Sequence, residues 1–215
     1  KLPIARIGEL VARISKQIAN GAKVFWVCPL VEDSADAPAA AATARYDDLK
    51  KYFPTAGLVH GQMDKKQRDA VMEKFADDNS DMSLLVATTV IEVGIDVPRA
   101  TIMVIENAER FGLAALHQLR GRVGRGNAQS YCVLLFGKTT EHGMQRLDVL
   151  CATDDGFAIA EQDLMMRGTG ELVGTRQSGW INYHFADWRE HRDLFRMAAN
   201  AARDQTTIGT WARDL

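Results

Sequence analysis

Leu116-His117-Gln118-Leu119-Arg120-Gly121-Arg122-Val123-Gly124-Arg125-Gly126 is the stretch that sets the reading of the whole chain. Between Ala115 and Ser130 it carries three arginines and no acidic residue. Read as a helix, it places Gln118, Arg122 and Arg125 at i, i+4 and i+7, which puts one amide and two guanidinium groups on a single face. A guanidinium is always charged and offers a planar fork of donors that fits phosphate oxygens. Gly121, Gly124 and Gly126 each cost roughly 1 kcal/mol in a helix interior. Such a cost is tolerated where the backbone must approach something closely. One-sided arginines and repeated glycines therefore argue for a phosphate-facing segment over a solvated basic helix.

On either side of this stretch the chain alternates strand and helix patterns. Tyr131–Phe136 follows it as a short apolar run, and Thr101–Ile105 precedes it. Further upstream, Met82–Ala87, Gly57–Gly61 and Val24–Leu30 read as three more strands. Val24-Phe25-Trp26-Val27-Cys28-Pro29-Leu30 is apolar throughout, as in a parallel strand buried on both faces. Ile4, Ile7, Val11, Ile14 and Ile18 recur at helical spacing, with Asn20-Gly21 as a stop. The alanine-rich stretch from Ala35 to Ala44 opens a helix with Ala42, Tyr46, Leu49 and Phe53 on one face. Asp64 stands three residues before Gln67, the pattern of a capping box, and the helix it starts buries Val71, Met72 and Phe75. These alternations describe an α/β domain with a mainly parallel sheet flanked by helices. In such sheets ligands bind at the carboxyl ends of the strands, which here carry His60-Gly61, Thr88-Thr89 and Glu106-Asn107.

Beyond Phe136 the character changes. Met144, Leu147 and Cys151 suggest one helix, and Ile159 to Met166 a second, with Asp154-Asp155-Gly156 as the turn between them. Arg167 to Gly179 has glycine at 168, 170, 174 and 179 and no hydrophobic periodicity, so an irregular ordered loop is expected. A last helix is expected over His191 to Arg203. Two domains result: 1–137, the α/β domain, and 138–215, a helical hairpin, a Gly-rich loop and a terminal helix.

The bulk properties narrow the class. With 215 residues and 47% hydrophobic content the chain can bury a full core. A net charge of -2 does not favour nucleic acid, so any basic contact surface is local. Cys28, Cys132 and Cys151 are widely spaced; Cys28 and Cys132 sit in apolar runs and read as core residues of a reducing compartment, the cytoplasm. No run of 18 apolar residues marks a membrane span. The chain starts at Lys1 rather than Met and reads as a piece of a longer protein.

Several residues outside the arginine stretch can carry chemistry. Thr88 and Thr89, at a strand end, can donate to phosphate oxygens of a nucleic-acid backbone. Asp96 can accept from a ribose hydroxyl. Gly137-Lys138-Thr139 looks like the end of a phosphate-binding loop, but the glycine needed five positions earlier is Cys132. No Asp-Glu dipeptide is present, and no metal-ligand spacing is found.

Gln118, Gly121, Arg122 and Arg125 match motif VI of superfamily 2 helicases, Gln-x-x-Gly-Arg-x-x-Arg, and Thr88 to Val97 resembles motif V. The chain is similar to the second RecA-like domain of these enzymes. The resemblance implies that Arg122 and Arg125 reach the ATP phosphates, with Gln118 sensing them and Gly94 and Asp96 facing the nucleotide. His60, Gly61, Thr88 and Thr89 would contact the DNA backbone. Without a phosphate-cradling loop or a magnesium-binding acid pair, the chain would supply half of an ATP site. ATP and Mg2+ are then expected in the intact enzyme and neither on this piece alone. Asp155-Gly156-Phe157, Ala160, Asp163-Leu164, Arg167-Gly168-Thr169-Gly170-Glu171-Leu172 and Gln177-Ser178-Gly179 look like the TRG segment of the RecG and Mfd families, which translocate on duplex DNA. There the segment couples the ATP cycle to movement, a role that would fall on Arg167, Gly168, Gly170 and Gln177. The stretches Val24 to Ser34 and Ile105 to Leu113, with Phe185-Ala186-Asp187, favour the RecG family. The implied partners are forked or branched duplex DNA and the first RecA-like domain of the same polypeptide, in a monomer without membrane contact. The alternatives are the equivalent domain of a transcription-repair coupling factor, and a non-catalytic module that holds nucleic acid.

Overall fold

The structure, a computed structural model, describes residues 1–29, 37–88, 97, 99–124, 129–167 and 197. By packing, the chain divides into one unit of Lys1–Met166 and another of Arg167–Leu215. The elements described below belong to the first unit, apart from the last residue of its final helix.

Six strands form one parallel sheet: β1 (Leu2–Pro3), β2 (Lys23–Val27), β3 (Gly57–Val59), β4 (Leu84–Ala87), β5 (Ala100–Ile105) and β6 (Tyr131–Phe136), in the order β1-β6-β5-β2-β4-β3. The central strand β2 runs beside β4 and β5, with Trp26 level with Val86 on one side and Val104 on the other. Helices α1 (Ile7–Ala19), α2 (Ala37–Lys50), α3 (Lys65–Ala76), α4 (Leu113–Arg120), α5 (Glu141–Ala152) and α6 (Gly156–Arg167) complete the described elements, with short 3-10 turns at Ile4–Arg6 and Ala108–Arg110.

The unbroken apolar run of β2 follows from a sheet covered on both faces. Val24 and Trp26 join a core with Leu10, Val11 and Ile14 of α1 and Ala42 and Leu49 of α2. Phe25 and Val27 face the other way, into a core with Met72 and Phe75 of α3, Leu113 and Leu116 of α4 and Leu147 of α5. Alternation along a strand thus supplies two cores at once. The mainly parallel α/β sheet, the five longer strands and the helical face of α2 agree with the sequence. The two-residue β1 was not expected: a pair of residues beside the carboxyl half of β6 has no periodicity to read.

Local signals fix the ends of the elements. Asp64 caps α3 by accepting from the Gln67 N–H at 2.8 Å. Thr140 caps α5 by accepting from the Gly143 N–H, so the Gly137-Lys138-Thr139 stretch leads into an ordinary helix start. Lys23 is almost fully buried, and its Nζ donates to the Phe75 and Asp77 carbonyls, both at 2.6 Å. It thereby satisfies carbonyls at the end of α3 that the helix itself leaves unpaired. The helical hairpin expected after Phe136 is present as α5 and α6, and its Leu147, Leu150 and Ile159 lie in the core of the first unit. The expected loop from Gly168 and the helix over 191–203 lie outside the described residues, apart from Met197 in a helical turn.

Candidate functional site

The carboxyl ends of β3 and β4 are neighbours, because the Thr88 N–H donates to the Val59 carbonyl at 3.2 Å. His60 and Thr88 are the residues that follow these strands. Thr88 is 1% exposed, and neither its Oγ1 nor His60 Nδ1 has a hydrogen-bond partner among the described residues. Unpaired buried polar atoms are uncommon and costly. Gly61 is exposed beside them in the turn that follows β3. Of the remaining residues expected here, Thr89, Gly94 and Asp96 lie outside the described residues.

The neighbouring ends of β2 and β5 are built differently. Glu106 follows β5, and its buried carboxylate accepts from Trp26 Nε1 at 3.0 Å, Arg45 Nε at 2.7 Å and Arg45 Nη2 at 2.5 Å. The hydrogen bond to Glu106 raises the Arg45 pKa above its usual value. Burial, with Glu106 adding to it, pushes the Cys28 thiol up to about 12. Sequence reasoning marked Glu106 as a strand-end residue but missed Trp26 and Arg45 as its partners. A signal was present: Arg45 lies three residues after Ala42 and four before Leu49, within the apolar face of α2. A charge on such a face needs an opposite charge beneath it.

The arginine stretch departs from the expected helix. α4 ends at Arg120, with Gly121 as its cap. Gly124 has φ of +80°, a left-handed conformation that glycine adopts without penalty. A side chain at Gly124 would run into Ser130 Oγ. The proposed continuous face of Gln118, Arg122 and Arg125 is therefore corrected: Gln118 stands exposed on α4, and Arg122 stands in the turn beyond its end. Gly121 thus caps the helix and Gly124 takes a left-handed turn beyond it, while Gly126 lies outside the described residues. The Arg122 side chain is partly exposed and makes no hydrogen bond or ion pair among the described residues. Arg125 lies outside the described residues, as do Gly168, Gly170, Gln177 and the Arg167 side chain.

Arg120, between them, is fully engaged. Its Nη1 donates to the Leu150 carbonyl at 2.9 Å and the Thr153 carbonyl at 2.8 Å, and lies 3.1 Å from Asp154 Oδ1. On the same face of α4, His117 packs against Gly156, the first residue of α6. Among the described residues no group of three acidic, histidine or cysteine side chains is placed to hold a metal ion, and no helix is long and apolar enough to cross a membrane.

Comparison with known proteins places this geometry in a family. Residues 5–127, more than half of the chain, match the model of the helicase conserved C-terminal domain. Residues 153–208 match that of ATP-dependent DNA helicase RecG, domain 3, C-terminal. The chain therefore belongs to the helicase C-terminal domain family and, on these two matches and the relatives below, is a domain of the RecG type. It is 48% identical to ATP-dependent DNA helicase RecG of Escherichia coli K12 over 190 residues, which cover 86% of this chain and 27% of that protein. Identity to the Thermotoga maritima RecG is 46% over 196 residues, 90% of this chain and 25% of that protein. A solved structure of RecG bound to a three-way DNA junction superposes with a TM-score of 0.70 at 43% identity, covering 91% of this chain and 25% of that one. The chain thus spans about a quarter of the length of the curated relatives it matches.

Proposed function

We propose that this chain is the second RecA-like half of an ATP-dependent translocase on duplex DNA that remodels stalled forks and recombination junctions. The observation that carries the reading is Arg122. It stands at the arginine position of motif VI, past the end of α4, partly exposed and with its guanidinium unpaired among the described residues. In this reading ATP and Mg2+ sit mainly on the first RecA-like domain of the same polypeptide, and residues 1–137 close over them. Arg122 and Arg125 donate to the transferring phosphoryl group, Gln118 senses it, and Gly94 and Asp96 face the nucleotide. Charge on that group is greatest in the transition state, so preplaced guanidinium groups lower the barrier. Mg2+ would neutralise phosphate charge when bound; the described residues of this chain offer it no ligand set.

The strand ends of β3 and β4 serve the DNA. His60 Nδ1 and Thr88 Oγ1 lack partners among the described residues and would pair with the DNA backbone once uncovered, with Gly61 and Thr89, their neighbours in sequence, contributing to the same contact. Backbone contacts of this kind read no sequence and weaken steeply with salt. Residues 138–215 form the coupling segment: α5 and α6 feel closure near motif VI, and Arg167, Gly168, Gly170 and Gln177 pass it to the duplex. The enzyme acts as a monomer.

Replacing Arg122 by alanine in the full-length protein tests the assignment. DNA-stimulated ATP hydrolysis is expected to fall about a thousandfold or more, the usual loss for an arginine finger, with DNA affinity retained. Hydrolysis within twofold of the parent would mean that the arginine stretch only binds an anion, as in a non-catalytic module.

A further inference from the structure

Arg120 is not one of the motif VI positions that the ATP reading uses, yet among the described residues of the arginine stretch its side chain makes three polar contacts. Its Nη1 reaches two carbonyls, Leu150 near the end of α5 and Thr153 just beyond it, and the Asp154 carboxylate. Its side chain is 17% exposed, while that of Asp154 is fully exposed. The last carbonyls of a helix have no partner within it and carry partial negative charge, which a cation there satisfies. Three residues earlier on α4, His117 contacts the start of the next helix: a Cβ at Gly156 would lie 2.9 Å from His117 Cε1. Asp155 Oδ1 holds that start by accepting from the Phe157 N–H at 2.9 Å. One face of α4 thus grips the end of α5 through Arg120 and the beginning of α6 through His117. The turn between them, Thr153 to Asp155, is held across its whole length.

We propose that Arg120 is a positioning residue that ties motif VI to the α5–α6 turn, so that movement of the Arg122 segment is passed to α6. Arg122 follows Arg120 by two residues, with only Gly121 between. A displacement of Arg122 is passed back through Gly121 to a charged clamp whose acceptors lie at the end of α5 and in the turn beyond it. The always charged guanidinium suits this task, because its plane fixes the direction of Nη1, through which all three contacts run, where an ammonium would be free to swivel. α6 then runs directly into the segment that begins at Gly168. Gly156 is a second element of the same device, since a side chain there would crowd the His117 ring that packs against the start of α6. The proposal rests on the reading of the chain as the motor half of a translocase and names the residue through which its two parts communicate.

The test uses the full-length protein with Arg120→Gln, Arg120→Lys and Gly156→Ala, and Arg122→Ala as a control. DNA-stimulated ATP hydrolysis and fork unwinding are measured on the same samples and expressed as unwinding per ATP hydrolysed. For Arg120→Gln, hydrolysis should stay within about twofold while unwinding falls roughly tenfold, the scale of a lost set of charge-assisted hydrogen bonds. Arg120→Lys should restore part of the ratio, and Gly156→Ala should lower it without removing any charge. A role confined to fold stability predicts that both activities fall together at an unchanged ratio; that result, or no change in either activity, would overturn the proposal. If Arg122→Ala leaves hydrolysis intact, the motor reading itself fails and Arg120 falls with it. If Arg122→Ala abolishes hydrolysis while the Arg120 variants keep the parent ratio, only the clamp is wrong.

Discussion

Two neighbouring pairs of strand ends in the same sheet handle buried polar groups in opposite ways. At β2 and β5, the Glu106 carboxylate is saturated by Trp26 and by both arms of the Arg45 fork. At β3 and β4, His60 Nδ1 and Thr88 Oγ1 are buried and unpaired among the described residues. The first arrangement is complete within the fold and locks α2 to the sheet. In the second the described residues supply no partner, which on the proposed function leaves these groups for the DNA backbone. Polar residues at strand ends are therefore not equivalent signals. On the proposed function, the pair whose hydrogen bonds close internally is scaffold and the other pair is site.

The largest expected effect comes from opening the closed cluster. Glu106→Ala leaves Arg45 facing a buried gap, and breaking a buried pair in this way costs about 3–5 kcal/mol. For a chain of this size even the lower figure corresponds to a fall of roughly 6–12 °C in Tm. Calorimetry checks it, and a shift under about 2 °C would place Glu106 with the site and not with the scaffold. Thr88→Val makes the opposite case. It replaces an unpaired hydroxyl by a methyl group of similar shape, so Tm should hold or rise. Affinity of the full-length protein for forked DNA should drop about tenfold to a hundredfold, the worth of one hydrogen bond to a charged oxygen. Loss of stability with unchanged DNA affinity would erase the contrast between the two strand ends. Asp64→Ala, in the loop after His60, should cost about 1 kcal/mol through its lost cap and leave DNA affinity alone; a matching loss of affinity would extend the site to that loop.

The smallest effect belongs to Cys28, beside the closed cluster. With its thiol pushed up to about 12 by burial, almost none is thiolate at neutral pH. Alkylation at pH 8 should consume the exposed Cys151 and leave Cys28 intact, and Cys28 should become reactive only as pH approaches 12 or the chain unfolds. Rapid labelling of Cys28 at pH 8 would show that the cluster is open to solvent.

The fold was legible because its signals are periodic. Val24 to Val27 is apolar at every position and is buried on both faces of the sheet. Asp64 and Gln67 announce the start of α3, and the cap forms. The arginine stretch was legible in composition but not in conformation. Helical spacing of Gln118, Arg122 and Arg125 suggested one face, whereas the helix stops at Arg120 with Gly121 as its cap, before Arg122 is reached. Glycine is ambiguous in sequence, since a tolerated cost and a helix stop look alike until φ is known. Long-range pairs were illegible for another reason. Arg45 and Glu106 lie 61 residues apart, and Arg120 and Thr153 lie 33 apart, so no local pattern connects them. Only the order of the strands and the packing of the helices on them bring these residues together.

On the proposed function, this chain holds the arginine side of a divided ATP site. ATP hydrolysis by the 215-residue chain alone, with Mg2+ and forked DNA present, tests it most directly. The account predicts no turnover, and restoration when the first RecA-like domain is supplied. Turnover by the chain alone, abolished by Lys138→Ala, would contradict it and make the Gly137-Lys138-Thr139 stretch a phosphate-binding loop after all.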